Sequence, residues 1–272
     1  MTDFLQAVLA YDFMAHALWA GVLASVLCGV LGTFVVVKRL VFISGGISHA
    51  AFGGLGLFYW LGLPPVLGAV GVAVASALLV GLTDNARVRS QDALIGVLWA
   101  VGMAVGILFI AITPGYAPNL NSYLFGNILT VTKVDVVMTA GLDGLVLAIV
   151  ALFYKELVAI SFDETFARVQ GVPVRALTTL LLVLTGLTVV VLIQVVGIIL
   201  VIALLTLPPV TALMLSRDFS RVMLLSVGIG LLLTVGGLAL SYTWDLPAGP
   251  AIILLGTALL GGVYGVQGYR RR

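Results

Sequence analysis

Long runs of apolar residues, separated by short polar stretches, fill most of the chain. Each run has about the 20 residues that an α-helix needs to cross the hydrocarbon core of a bilayer. The pattern therefore predicts an all-α, polytopic transmembrane helical bundle of about eight to nine spans, forming a single domain over residues 1–272. The predicted spans are 15–37, 41–63, 65–83, 93–112, 134–154, 174–193, 195–215, 222–241 and 248–266.

Composition supports a membrane protein. Of the 272 residues, 62% are hydrophobic and only 9% are charged, and the mean hydropathy is +1.25. Such a chain has too few charges, at a net +2, for a nucleic-acid surface. The single cysteine, Cys28, lies inside an apolar run, which excludes a disulfide framework or a cysteine metal cluster. No Lys or Arg precedes Lys38, so we expect the first span to be retained rather than cleaved as a signal peptide.

The basic residues predict an orientation. On the predicted topology, all of the 13 Lys and Arg residues except Lys133 fall on one side of the membrane. The positive-inside rule makes that side cytoplasmic. We therefore expect an external N-terminus, a cytoplasmic C-terminus and a location in the cell (inner or cytoplasmic) membrane.

Glycine and proline interrupt the apolar pattern in several places. The stretch 113–133 is predicted to be interfacial or re-entrant. Gly102-xxx-Gly106 and Gly261-xxx-Gly265 predict close helix packing. The Pro208-Pro209 pair lies inside an apolar helix and is expected to kink or break it, which is compatible with a gating role.

One polar connection between spans, 161–172, reads as a short amphipathic helix. Ser161 can be its N-cap, with Glu164 completing a capping box, and Gly171 followed by Pro173 supplies a stop. Its apolar residues share one face, and a helix this short needs something to dock on. We expect a cytoplasmic partner to bind it. The residues assigned to this contact are Phe162, Asp163, Glu164, Phe166, Arg168, Val169 and Gly171.

His49 is the first candidate for chemistry within the membrane. In the second span, Gly45, His49, Gly53 and Gly56 follow one helical stripe, and Gly46 lies beside it. A polar side chain at this depth either packs against another helix or faces a pathway. Both alternatives remain open from the residues, and Gly45 and Gly46 are assigned to gating.

Two aspartates are further candidate ligands. Asp143 lies mid-span, where an ionised carboxylate costs about 2.5–3.5 kcal/mol to insert. It can be structural and protonated, or it can face the pathway. Asp245 precedes a Pro- and Gly-containing segment outside the membrane, where it can be a turn residue or a ligand at the mouth of a pathway.

Enzymatic motifs are missing from the sequence. It has no Walker-type loop, no His-Glu-x-x-His and no Gly-x-Ser-x-Gly. We therefore predict a non-enzymatic transport subunit that uses ATP energy only through another protein.

The motifs together resemble a known family. In chain order, these motifs occupy residues 37–39, 46–50, 122–126, 161–164, 171–173, 196–200, 207–209 and 249–252. In this order, over about 15–264, the chain resembles the ABC-3 permease subunits of zinc, manganese and iron importers, such as the zinc uptake permeases. The resemblance implies a type II ABC importer-like fold.

The resemblance also implies partners and roles. It implies that residues 161–172 are the coupling helix, which is seated on a cytoplasmic ATPase. It also implies a complex in the lipid bilayer that contains two ATPase subunits, a second copy of this permease and an external metal-binding protein. His49 becomes part of the metal pathway, with no permanently bound cofactor. Many members carry Asp where this chain has Gly45, which favours a borderline ion such as zinc, with manganese or iron as alternatives. A permease for a metal chelate (siderophore or corrinoid) and a stand-alone secondary transporter are the rival interpretations.

Overall fold

The computed structural model describes residues 2–83, 91–114, 126 and 128–270 and consists of helices throughout that part of the chain. Within it, nine helices are long and apolar enough to cross a membrane. A short N-terminal helix and two short helices between the long ones complete the order. The helices are α1 (Thr2–Ala10), α2 (Asp12–Val37), α3 (Val41–Trp60), α4 (Pro65–Leu82), α5 (Gln91–Ile112), α6 (Lys133–Leu152), α7 (Tyr154–Phe162), α8 (Glu164–Val169), α9 (Val174–Val196), α10 (Ile198–Leu215), α11 (Phe219–Trp244) and α12 (Ala248–Arg270), with a 3-10 turn at Ile128–Thr130.

The nine long helices coincide with the nine predicted spans, so the polytopic all-α fold is confirmed. The break between α9 and α10 falls at Gly197, where φ is +81°. This conformation costs glycine little, which explains why two spans join through one residue. The interfacial or re-entrant prediction for 113–133 lies mostly outside the described residues.

The chain packs into two compact units. Unit 1 comprises Met1–Val36, Asn121–Ala151 and Leu192–Arg272, and unit 2 comprises Val37–Leu120 and Leu152–Val191. His49 and the 161–172 segment belong to unit 2, whereas Asp143 and Asp245 belong to unit 1.

Glycine allows three helices of unit 2 to pack closely. A Cβ at Gly53 would lie 2.9 Å from the Gly102 carbonyl oxygen, and Gly56 faces the backbone of Gly106 in the same way. On the other side of α3, Gly54 lies against the Gly68 carbonyl of α4. The close packing predicted for Gly102-xxx-Gly106 is therefore confirmed, with α3 as the partner helix.

The second glycine pair behaves differently. Nothing in the described chain lies within 4 Å of a Cβ placed at Gly261 or Gly265. The packing predicted for this pair is not found among the described residues.

The proline pair does not break its helix. Helix α10 is continuous through Pro208 and Pro209, so the alternative of a break is wrong, whereas the alternative of a kink stays a prediction. Pro209 cannot donate a hydrogen bond to the Leu205 carbonyl, four residues earlier. That carbonyl faces Gly32 of α2, where a Cβ would lie 2.5 Å from the oxygen and 3.0 Å from Pro209 Cγ. Close support from a neighbouring helix is how membrane helices tolerate proline.

Each unit contains one side-chain contact between segments that are distant in the sequence. In unit 2, the connection between α2 and α3 touches the α7–α8 segment through Lys38 and Glu164. In unit 1, the Gln267 amide donates to the Met214 carbonyl and joins the last turns of α10 and α12. In both contacts, the two segments that meet are ones that the positive-inside rule predicts to lie on the cytoplasmic side.

Candidate functional site

The short helix α8 begins at an aspartate cap. Asp163 has an extended backbone (φ −149°, ψ 102°), and its Oδ1 accepts hydrogen bonds from the Thr165 and Phe166 amides, both at 2.9 Å. These bonds satisfy two of the amides that a helix start leaves unpaired. The predicted N-cap at Ser161 is wrong, because Ser161 lies in the last turn of α7 and donates to the Leu157 carbonyl at 2.6 Å.

Glu164 anchors the helix instead of closing a capping box. Its Oε1 lies 2.7 Å from Lys38 Nζ, and the same ammonium donates to the Ile160 carbonyl at 3.0 Å. The Lys38 side chain is only 5% exposed. A charge this buried requires its partners, so Lys38 fixes α7 and α8 to the connection between α2 and α3.

Helix α8 ends at Val169, and the predicted stop residue Gly171 follows two positions later. Its φ is +81°, its amide bonds to the Arg168 carbonyl at 3.1 Å, and the Val172 amide bonds to the Ala167 carbonyl at 3.0 Å. This pair of bonds defines a Schellman motif, which favours glycine at that position. Both ends of α8 are therefore fixed by local hydrogen bonds, although the helix has only six residues.

An apolar face on this segment is open. Phe162 is 65% exposed, Phe166 59% and Val169 80%, whereas Ala167 is fully buried. Buried Ala167 turns inward while the large side chains turn outward, as the helical spacing predicts. The segment is thus a short helix, capped at both ends, with an exposed apolar face; its role in binding an ATPase stays a prediction.

His49 lies half-buried on α3 against α5. Its ring stacks on Trp99 with the centroids 4.1 Å apart and the planes 8° from parallel. Within the described chain, His49 Nδ1 is buried and has no hydrogen-bond partner. A buried polar atom without a partner is uncommon and requires an explanation; an imidazole nitrogen left free in this way can bind a metal ion.

The stripe around His49 serves mainly for packing. Gly46 faces Ile95 of α5, Gly53 faces Gly102, and Gly45 is buried. The sequence alone did not identify Trp99, because no periodicity or motif links it to His49. Its position three residues before Gly102, on the helix that packs against α3, is the only indication available.

Asp143 is the second candidate ligand whose polar atoms are buried. It is 4% exposed on α6, and neither carboxylate oxygen has a hydrogen-bond partner among the described residues. Its environment also includes Cys28 of α2, which is fully buried and close enough for an electrostatic interaction. Both the structural and the pathway interpretation of Asp143 remain predictions.

Asp245 is an exposed helix cap. It ends α11 in the left-handed conformation, with φ +53° and ψ +42°, and its amide bonds to the Ser241 carbonyl. Asp is one of the few residues that adopt this conformation readily. This geometry accounts for Asp245 as a turn residue, and its role as a ligand stays a prediction.

The candidate ligands do not form a cluster in the part of the chain that the structure describes. It contains no group of three or more His, Cys, Asp or Glu side chains that could hold a metal ion. The described chain therefore offers isolated donors rather than a closed coordination site.

Comparison with known proteins identifies the family. Residues 10–264 match the family model described as the ABC 3 transport family. The chain belongs to the ABC 3 transport family. It is a multi-pass membrane protein and a transport membrane subunit, not the ATPase.

Relatives in this family cover nearly the whole chain. An uncharacterized membrane protein of Synechocystis is 43% identical over 94% of this chain and 91% of its own length. A probable metal transport system membrane protein of Chlamydia pneumoniae is 42% identical over 85% of this chain and 81% of its own. The manganese transport system membrane protein MntC of Halalkalibacterium halodurans is 34% identical over 95% and 89%.

Solved structures share the fold. PsaBC from Streptococcus pneumoniae, determined in complex with Fab, superimposes with a TM-score of 0.86 at 29% identity, covering 97% of this chain and 95% of that one. An inward-facing structure described as metal-chelate type ABC transporter gives a TM-score of 0.72 at 18% identity, covering 95% and 87%. The second likeness concerns the fold alone.

Proposed function

We propose that this ABC 3 family chain is the membrane-spanning permease of an ATP-driven importer for a divalent transition metal ion. The observation that carries the proposal is the α8 segment, a capped helix with an exposed apolar face, in a chain that has no nucleotide-binding motif. Helix α8 is the coupling helix, seated on a cytoplasmic ATPase.

Coupling follows from how the helix is attached. Lys38 joins α7 and α8 to the residues that begin α3, and α3 carries His49. A displacement of α8 by the ATPase is passed to the His49-bearing helix through this contact. Two ATPases, a second permease copy and an extracytoplasmic metal-binding protein complete the proposed importer, which works by alternating access in the cell membrane.

The donor chemistry bears on which metal is carried. His49 supplies a neutral imidazole, and position 45, one turn earlier, is a glycine rather than a carboxylate. Imidazole suits zinc better than manganese, which prefers oxygen ligands. This chemistry favours zinc, whereas the relative from Halalkalibacterium halodurans is a manganese transport system membrane protein. The small number of donors suits an ion that must be released again after it binds.

Elemental mass spectrometry of cells grown in metal-poor medium tests the proposal. The strains are wild type, a deletion, His49→Ala and His16→Ala, the last replacing the only other histidine of the chain. We expect one divalent metal to fall several-fold in the deletion and in His49→Ala, but not in His16→Ala. If no metal changes in the deletion, the importer proposal is wrong; if only the deletion has an effect, His49 is outside the pathway.

A second arm of this experiment examines coupling. Phe166→Asp places a charge on the exposed face of α8 without filling any space inside the chain. We expect normal membrane levels, loss of uptake, and ATP hydrolysis that no longer depends on the permease. Phe166→Leu keeps the apolar contact and should retain uptake. If Phe166→Asp takes up as much metal as Phe166→Leu, α8 is not the coupling helix.

A further inference from the structure

A basic cavity lies within unit 2 beside the coupling helix, and two of its lining residues, Glu164 and Arg168, are also assigned to the predicted partner contact. Its volume is about 330 Å³, and the ends of α3, α4, α8 and α9 surround it. Three cationic side chains line it, Lys38, Arg168 and Arg175, with Glu164 as the acidic one. Because Glu164 pairs with Lys38, two guanidinium groups remain, and neither has an ion-pair partner within the described chain.

A hydroxyl group in the same wall also lacks a partner. Thr178 lines the cavity, and its Oγ1 is buried with no hydrogen-bond partner among the described residues. Helical threonines usually donate to the carbonyl four residues earlier, as Thr179 does to Arg175 at 2.8 Å. Thr178 thus has a donor to spare, one turn from Arg175 on the same face of α9.

The inner wall of the cavity is apolar. Ile43, Val80 and Leu182 are buried at 6%, 2% and 3% exposure. Leu182 lies eight residues into α9, which is about 12 Å along the helix axis. The cavity therefore runs from a cationic mouth at the helix ends to an apolar floor at membrane depth.

We propose that this cavity binds the phosphate headgroup of an anionic phospholipid from the cytoplasmic leaflet. Arg168 and Arg175 meet the phosphate, Thr178 donates to it, and the apolar floor takes the glycerol end of an acyl chain. Basic pockets between helix ends on the cytoplasmic side are suited to such headgroups. The bound lipid lies beside the Lys38–Glu164 pair and so helps to hold the coupling helix in place.

Native mass spectrometry of the purified permease–ATPase complex tests this site with defined lipids. Phosphatidylglycerol is the anionic probe and phosphatidylcholine the neutral one. We expect phosphatidylglycerol to bind more tightly than phosphatidylcholine, and Arg175→Gln to lower that preference about fivefold, because one basic residue near the surface contributes about 1 kcal/mol. Arg217→Gln is the matched control: Arg217 is an exposed basic residue in another predicted cytoplasmic connection and does not line the cavity.

The remaining arms separate other occupants. Thr178→Val should weaken phosphatidylglycerol binding and Thr178→Ser should retain it, which distinguishes the hydroxyl from a packing effect. Equal loss in Arg175→Gln and Arg217→Gln would overturn the site in favour of general surface charge. Displacement of the lipid by millimolar inorganic phosphate would identify a free anion as the occupant, and loss of ATPase association with unchanged lipid binding would identify a partner's acidic residue; either result overturns the lipid proposal. The assay reads lipid binding without transport, so its outcome is independent of the metal-import proposal.

Discussion

Lys38 links two parts of the sequence that no local pattern connects. Its ammonium binds Glu164, 126 residues away, and the Ile160 carbonyl. The sequence placed Lys38 on the cytoplasmic side and in a motif of the family, and it assigned Glu164 to a capping box and to the partner contact. The type of a side chain limits the roles that a residue can have. Which of these roles it has depends on long-range contacts, which the local sequence does not predict.

A double-mutant cycle measures this contact. We expect Lys38→Met and Glu164→Gln each to lower the midpoint of thermal unfolding of the complex, and the double variant to lose less than the sum. Glu164 is about half exposed, so the coupling free energy should be about 0.5–1 kcal/mol. Lys38→Arg keeps the charge and is the control; additive losses would mean that the pair does not stabilise α8.

At the scale of the helix, Ser161 and Asp163 compete for the start of α8. Both are good N-cap residues, and the Ser161–Glu164 spacing fits a capping box. The structure uses Asp163, because α7 continues through Ser161 and Lys38 takes Glu164. The end of the helix was predictable, since glycine has little competition for a left-handed position.

Hydrogen exchange distinguishes the two caps. Asp163→Ala should cost about 1 kcal/mol of local stability and raise the exchange rates of the Thr165 and Phe166 amides about fivefold. Asp163→Asn retains an acceptor oxygen and should change them little. Ser161→Ala is the discriminating variant. If it raises the exchange rates of the Thr165 and Phe166 amides and Asp163→Ala does not, Ser161 is the N-cap.

Helix pairing shows a similar limit of sequence reasoning. The same Gly-xxx-Gly spacing occurs at Gly102 and at Gly261, yet only the first packs on a helix within the described chain. A small-residue motif permits close approach but does not name the partner. The proline pair of α10 is comparable, because only the position of Gly32 shows how the helix tolerates it.

For the whole molecule, the bilayer explains why the fold was predictable and the site was not. Membrane thickness fixes span length, so hydropathy alone placed all nine long helices within a few residues of their observed ends. A site depends on which helices meet. The stacking of His49 on Trp99 arises from such a meeting, and so does the burial of the Asp143 carboxylate, which has no hydrogen-bond partner among the described residues.

Orientation is the property of the whole molecule that the positive-inside rule predicts and that labelling can measure. Cys28 is fully buried, so the wild-type chain gives a low background with a membrane-impermeant maleimide. Leu246→Cys and Arg217→Cys place exposed thiols just beyond the two ends of α11. In sealed right-side-out vesicles, we expect Leu246→Cys to be labelled and Arg217→Cys to react only after permeabilisation. The reverse pattern would invert the orientation and put α8 outside, away from any ATPase. Labelling of both without permeabilisation would mean that α11 does not span the membrane.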